Sequence, residues 1–387
     1  MIAILNRWEF FSHFLMNKLP DIGRFTDDPL SSHTLPGRFY FDLDVFSREQ
    51  KSIFHRTWQY ACHVSRLESP GDFFVRDIGD QSVLVVRGTD NKIRAFHNVC
   101  QHRAHRLLEG SGSVSSAIIC PYHRWAYELS GKLRRALHSD QVRDFSSLEI
   151  SLSEVRAELF CGFVFINLDH HADPLMTDLW DFEKEVLELS PRVRDLKLSD
   201  QREIHLNANW KNSVENYSEC YHCPNQHPGL AQGSLDMESY QITVHKKFHS
   251  HASRGVGEAT SYVKSEDRGG ESREFGSWLL WPNWAIEVYP GGYLNIFYHL
   301  PTGPETTTQI CEWYFSTSEP TKEQRGVIDF VNSVRDEDIP LCETVQKGLH
   351  SLGYHQGRLI ANEARSYFSE HAVHDFQKKV LEAIAQT

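Results

Sequence analysis

Residues 98–125 read NVCQHRAHRLLEGSGSVSSAIICPYHRW, and the cysteine and histidine spacing in them decides what the first half of the chain must be. One residue separates Cys100 from His102, two separate Cys120 from His123, and seventeen lie between the pairs. Each pair offers one thiolate and one imidazole on a tight turn, so two facing loops supply two sulfurs and two nitrogens. A cluster of two irons fits this distribution, one iron taking Cys100 and Cys120, the other His102 and His123. Neutral histidines in place of two thiolates remove negative charge and raise the potential, which suits a one-electron carrier. Cys2His2 sets also bind zinc, but zinc pairs usually put like with like. The mixing in both halves favours iron and sulfide, with the glycines and serines between them as a flexible connector.

Around this stretch, FFVRDI (73–78), SVLVVRG (82–88), AIICP (117–121) and CGFVFINL (161–168) are short β-like runs separated by turn residues. They make residues 72–168 a small all-β unit. Upstream lie a predicted helix, FSREQKSIFHRTW, an extended arm over 21–40, and an N-terminal segment interrupted by Arg7, Glu9, His13 and Lys18. That segment reads as a docking helix, not a signal peptide or a membrane span. Helical periodicity resumes at LWDFEKEVLEL, and WAIEVYPGGYLNIFYHL predicts a hairpin around Pro290, Gly291 and Gly292.

A chain of 387 residues is too long for one ordinary core, so two domains are expected. The expected division is an arm over 1–45, a cluster-binding domain over 46–168 and a second domain over 169–387. The net charge of -12 and the absence of a Lys/Arg run argue against nucleic acid as a partner. Eight cysteines without a secretory signal point to a reducing, cytoplasmic setting.

The second half carries ENYSECYHCPNQHP at 215–228. Trp210, Val214, Tyr217 and Tyr221 recur at helical spacing and predict a buried stripe, with Glu215, Glu219 and His222 on an adjacent face. Pro224 then ends the helix, so His227 arrives from the next turn and converges with His222. Two imidazoles leave room for a carboxylate. In GVIDFVNSVRDEDIPLCETVQKGL, Val327, Val331, Val334, Leu341 and Val345 form a stripe whose remaining slot is Asp338. A carboxylate on an apolar face is costly unless a cation such as a metal pairs with it. Glu337 is the alternative, on the neighbouring stripe of Phe330, Val334 and Leu341. Two histidines and a carboxylate leave coordination positions open on a non-haem ferrous iron. Cys220 and Cys223 read as bystanders.

At this point the sequence resembles the α subunits of Rieske non-haem iron oxygenases, in both motifs, their order and their spacing. The resemblance implies an α+β fold, an all-β Rieske [2Fe-2S] domain plus a helix-grip (START-like) catalytic domain with a central antiparallel sheet. It implies that Cys100, His102, Cys120 and His123 hold the cluster and that His222, His227 and Asp338 hold the mononuclear Fe(II). It implies O2 as oxidant and a head-to-tail homotrimer in which His123 of one subunit faces the Glu219 position of the next. In the family an acidic residue three positions before the first iron histidine bridges the two metals, which marks Glu219 as the catalytic link. Aromatic-ring dioxygenases carry Asp there; members acting on quaternary amines carry Glu. No dinucleotide fingerprint follows a strand, so electrons from NAD(P)H are expected through a separate flavin/iron-sulfur reductase.

LWPN (280–283) and the tail SEHAVHDFQKKVLEAI resemble the branch acting on glycine betaine, carnitine and stachydrine. Trp278, Trp281, Trp284, Tyr289, Tyr293 and Tyr298 are then candidates for an aromatic cage around a quaternary ammonium. The expected reaction is hydroxylation and N-demethylation of a betaine with release of formaldehyde. An alternative is hydroxylation or O-demethylation of an aromatic substrate. An electron carrier would lack the mononuclear iron, and a zinc-structured binding module would be colourless.

Overall fold

The computed structural model describes residues 20–254, 274–290 and 293–385; the docking helix expected at the N-terminus falls outside them. Two seven-stranded sheets dominate the described residues. The β-like runs of the first half pair antiparallel in the order β1 (Gln59–His63), β10 (Phe163–Asn167), β9 (Glu154–Phe160), β4 (Ile93–His97), β3 (Gln81–Arg87), β2 (Asp72–Ile78), β5 (Ser111–Ser113). A three-stranded sheet, β6 (Ile118–Ile119), β7 (Ala126–Tyr127) and β8 (Leu133–Arg135), carries the second cysteine loop. The other large sheet runs β11 (Lys197–Leu206), β17 (Thr306–Phe315), β16 (Tyr293–Gly303), β15 (Trp284–Tyr289), β14 (Glu274–Leu280), β13 (Phe248–Arg254), β12 (Gln241–Val244). The expected hairpin is β15 and β16, with Trp284 opposite Tyr298 and Glu287 opposite Asn295.

Side chains alternate across a strand, and here both faces of the second sheet are buried. One face, through Trp284, Ile286, Tyr298 and Tyr314, packs against Tyr60 and Phe163 of the first sheet and Phe182 of a helix at Trp180–Leu189. The opposite face, through Phe275, Leu279, Phe297 and Trp313, packs beneath helices. Numbering in chain order, these are α1 (Leu43–Glu49), α2 (Trp180–Leu189), α3 (Trp210–Tyr217), α4 (Cys223–Gln226), α5 (Pro228–Gly233), α6 (Lys322–Leu349) and α7 (His371–Ile384). The sheet grips α6 and α7 through Val327, Val331, Phe376 and Val380. No helix among the described residues is long and apolar enough to cross a membrane.

Helix α6 starts at a capping box between Thr321 and Gln324 and continues through Pro340, which lies on its exposed side. Val327, Val331 and Asp338 are buried as expected, but Val345 is exposed, and Cys342, Gln346 and Leu349 continue the inner face. A stripe repeating every seven residues drifts by about 20° per heptad around a straight helix, so its far end rotates into solvent.

The helix expected to run into His222 stops at Tyr217. The Ser218 hydroxyl donates back to the Val214 carbonyl at 2.6 Å, and Tyr221 is 49% exposed rather than part of a buried stripe. Pro224 does not end a helix but sits in the first turn of α4, where a missing N–H costs nothing. Glu215 does not share a face with Glu219 either; its carboxylate accepts from Tyr40 Oη at 2.7 Å and Gln377 Nε2 at 3.1 Å. Cys220 and Cys223, expected as bystanders to the metal site, are joined as a disulfide, while the six other cysteines are free.

The start of α3 is fixed from the side by α1. Lys211 Nζ stands 2.6 Å from Glu49 Oε1, both side chains fully buried, and Trp210 Nε1 donates to Glu49 Oε2 at 2.9 Å. The described part of the arm lies along the second half of the chain: Thr34 N donates to Gly357 O, and Leu35 N to Gln377 Oε1.

Candidate metal centres

The two cysteine loops differ in sequence but fold alike. Cys100 N donates to His105 O and Cys120 N to Trp125 O, each at 2.8 Å. Four residues after each cysteine, Ala104 and Arg124 take left-handed φ of 56° and 62° and donate back to the cysteine carbonyl. A non-glycine residue in that region is uncommon, so the repetition marks one turn built twice. It presents Cys100 and Cys120, 3% and 1% exposed, inward. The rings of His102 and His123 lie 4.6 Å apart at the exposed tip, His102 stacked on Trp125. Tyr127 Oη is 3.2 Å from Cys100 Sγ and accepts from Gln101 N.

In the second half, three donors from separate elements converge. The ligating atoms of His222, His227 and Asp338 all lie within 4.8 Å of one another, the only such set of three or more among the described residues. His227 Nε2 is 2.9 Å and His222 Nε2 3.4 Å from Asp338 Oδ1, which also accepts from Asn216 Nδ2. The outer ring nitrogens are held by carboxylates: His222 Nδ1 by Glu219 Oε1 at 2.5 Å, and His227 Nδ1 by Glu337 Oε2 at 2.6 Å. A carboxylate behind each imidazole fixes its tautomer and leaves Nε2 free to ligate. Burial lowers the basicity of His227, which favours the neutral, ligand-competent ring. Glu337, with a side chain 47% exposed, therefore stands behind a histidine, while buried Asp338 faces the shared point. Arg335 makes a close ion pair with the other oxygen of Asp338.

These donors open onto a cavity. Its wall includes Tyr217, Tyr240, Phe275, Tyr289, Phe297 and Glu287, with Arg335 beside the donor set.

Residues 57–146 match the family model of the Rieske [2Fe-2S] domain, and residues 193–386 that of the ring hydroxylating alpha subunit (catalytic domain). The chain belongs to the Rieske oxygenase α subunits. The carnitine monooxygenase oxygenase subunit of Escherichia coli (strain K12) is 39% identical over 91% of this chain and 94% of its own length. Choline monooxygenase, chloroplastic, of Arabidopsis thaliana is 32% identical over 84% and 78%. A quaternary ammonium Rieske monooxygenase solved in complex with L-carnitine superposes with a TM-score of 0.84 at 35% identity, covering 95% of this chain and 99% of that one. Naphthalene 1,2-dioxygenase from Rhodococcus sp. shares the fold, with a TM-score of 0.77 at 17% identity.

As a Rieske oxygenase α subunit, the protein takes an iron–sulfur cluster and a mononuclear iron, and its donor chemistry fits both. The loops offer a sulfur pair and an imidazole pair, not the single tetrahedral point of a structural zinc. The nitrogen and oxygen set suits iron, since the nearby sulfurs of Cys220 and Cys223 are bonded to each other.

The expected aromatic cage needs correction. Of its six candidates, Tyr289 alone lines the cavity. Trp278, Trp284 and Tyr298 sit on the opposite face of the sheet, where strand alternation sends them. Trp281 packs on Phe376, and Tyr293 on Phe315 with its hydroxyl directed to Glu323. The rings that do line the cavity come one each from α3, the residue before β12, β14, β15 and β16, which no single motif announces. Glu287 is absent from the sequence candidates although it carries a signal: in WAIEVY the inward positions are Ala285, Glu287 and Tyr289, an acid on an apolar strand face. Arg335, one helical turn before Asp338, escapes sequence reasoning in the same way.

Proposed function

We propose that this oxygenase hydroxylates an N-methyl group of a betaine-type quaternary ammonium compound. The observation that carries this reading is a cavity at the His222–His227–Asp338 set walled by Tyr217, Tyr240, Phe275, Tyr289 and Phe297. Aromatic ring faces attract a cation that cannot be deprotonated or hydrogen-bonded. The likeness to carnitine and choline monooxygenases supports the same class. One methyl carbon gains an oxygen atom from O2, the other oxygen leaves as water, and two electrons and two protons are consumed. The resulting carbinolamine breaks its C–N bond to give formaldehyde and the demethylated amine.

On this reading Cys100 and Cys120 bind one iron of the cluster and His102 and His123 the other, while His222, His227 and Asp338 bind the mononuclear iron. The bound irons supply stepwise electron delivery and oxygen activation. The chain's own part is to hold imidazoles through Glu219 and Glu337, to pose the substrate, and to keep the site dry. Residues 46–168 form the electron-delivering unit and 169–387 the oxygenating unit, with 1–45 as an arm on the latter. NAD(P)H feeds the protein through a separate reductase in the cytoplasm, and a homotrimer brings His123 of one subunit to Glu219 of the next.

The test supplies the holoenzyme with a competent reductase, NADH and a panel of betaines. Formaldehyde formed in proportion to NADH consumed is expected for at least one of them. NADH loss without formaldehyde across the whole panel overturns the reading.

A further inference from the structure

Glu287 lies in the middle of β15, between Ser277 on β14 and Asn295 on β16, and is 8% exposed. Carboxylates are rarely placed on the buried face of a sheet without a cation. Here the hydrogen-bond donors are neutral: Tyr289 Oη donates to Oε2 at 2.9 Å and Asn295 Nδ2 to the same oxygen at 3.1 Å. No cationic side chain among the described residues forms an ion pair with it. Arg335, which acts on it electrostatically, is engaged with Asp338 and lies over the Phe297 ring. Glu287 is also outside the set of three that converges for metal. It is instead part of the cavity wall, among the aromatic rings.

We propose that Glu287 is the counter-ion of the substrate's positive charge, the side chain that makes this cavity select a permanent cation over a neutral molecule of the same shape. The inference rests on the reading above, that the substrate is a quaternary ammonium compound. The two kinds of wall divide the work. Ring faces and a trimethylated head fit by shape, and they also accept a tert-butyl group of the same size; the carboxylate distinguishes the two by charge. Burial pushes the Glu287 carboxyl up from its usual range, against the pull of Asn295, Arg335 and Tyr289. A fixed cation in the cavity opposes that push and holds the group ionised. Tyr289 and Asn295, both bound to Oε2, orient the carboxylate.

The experiment is calorimetric binding to the holoenzyme and to Glu287→Gln, which keeps shape and hydrogen-bonding capacity but loses the charge. The probes are two matched pairs: γ-butyrobetaine with 5,5-dimethylhexanoate, and glycine betaine with 3,3-dimethylbutanoate. Each pair differs only in a quaternary nitrogen replaced by carbon. The wild type is expected to prefer at least one betaine over its carbon partner. In E287Q that betaine should bind on the order of 10–100-fold more weakly while the carbon partner is unchanged, so the preference collapses. Glu287→Asp, which restores the charge, should recover part of it. A variant that keeps the wild-type preference overturns the role of Glu287 and leaves the substrate class standing. A wild type that does not prefer any betaine overturns both. Should E287Q fail to load its cluster, Glu287→Met takes its place in the same titrations: a collapsed preference supports the role of Glu287, and a retained one overturns it.

Discussion

The two donor sets of this protein are assembled in opposite ways. Cys100, His102, Cys120 and His123 come from one stretch, on two turns that close through their own backbone hydrogen bonds. His222, His227 and Asp338 come from the two ends of α4 and the middle of α6, elements that meet only because the second sheet grips them. A local set exists once its loops form; a distributed set exists only while the surrounding packing holds. Damage to packing in the second half should therefore strip the mononuclear iron first and leave the cluster in place.

The largest effect that tests this contrast is Asp338→Ala. Loss of the only carboxylate at the shared point should cut turnover by on the order of a thousandfold or more, with iron falling from about three to about two per chain. The visible absorption of the cluster should be unchanged. Loss of that absorption along with the third iron would break the comparison, because it would mean that the two sites form as one unit. Lys211→Met probes the same contrast through packing rather than ligation. It leaves Glu49 as an unpaired charge at a fully buried position, a change that typically costs about 3–5 kcal/mol. Denaturant unfolding should register that loss. At intermediate denaturant the mononuclear iron should become chelatable before the cluster bleaches.

The same contrast explains how much of the molecule is legible in the chain alone. The loops carry their geometry in the order of residue types, so pairing Cys100 with His102 and Cys120 with His123 needs no tertiary information. The strand runs and the Trp284–Tyr298 hairpin are legible through alternation. His222 and His227 are legible as residue types, but the shape of their segment is not. Helical spacing through Tyr221 suggests continuity, whereas the Ser218 back-bond and the Glu219 carboxylate turn the chain after Tyr217. Asp338 is legible as the acid in the slot of an apolar stripe, but the place of its neighbour Glu337 behind His227 depends on tertiary packing. The aromatic cage fails for a related reason: six rings in one hairpin region divide between two buried faces, and composition does not record which face looks onto the metal.

Glu337→Gln sharpens the contrast at the level of support. The amide keeps an oxygen near His227 Nδ1, now 2.6 Å from the carboxylate, but no longer stabilises the ring electrostatically. Changes behind a ligating histidine typically cost about 10–100-fold in metal affinity or activity. Competition with a chelator should show that loss at the mononuclear site, and the cluster should keep its spectrum. An affinity equal to that of the wild type would return Glu337 to the status of a surface acid.

The smallest expected effect lies on the other side of the comparison, in the local set. Gln101 N donates to the Tyr127 hydroxyl oxygen at 3.0 Å, which leaves the hydroxyl proton for Cys100 Sγ at 3.2 Å. Once Cys100 binds iron its sulfur carries no proton, so Tyr127 must be the donor. A hydrogen bond to a cluster sulfur stabilises the reduced, more negative state more than the oxidised one, and so raises the potential. Its net worth is about 1 kcal/mol, and for one electron a tenfold change in equilibrium is about 59 mV. Tyr127→Phe should therefore lower the cluster potential by roughly 40 mV in a spectroscopic redox titration, with the mononuclear iron content unchanged. An unaltered potential would remove Tyr127 from the tuning of the cluster. A loss of mononuclear iron would be more damaging, since a hydroxyl inside the local set would then be supporting the distributed one.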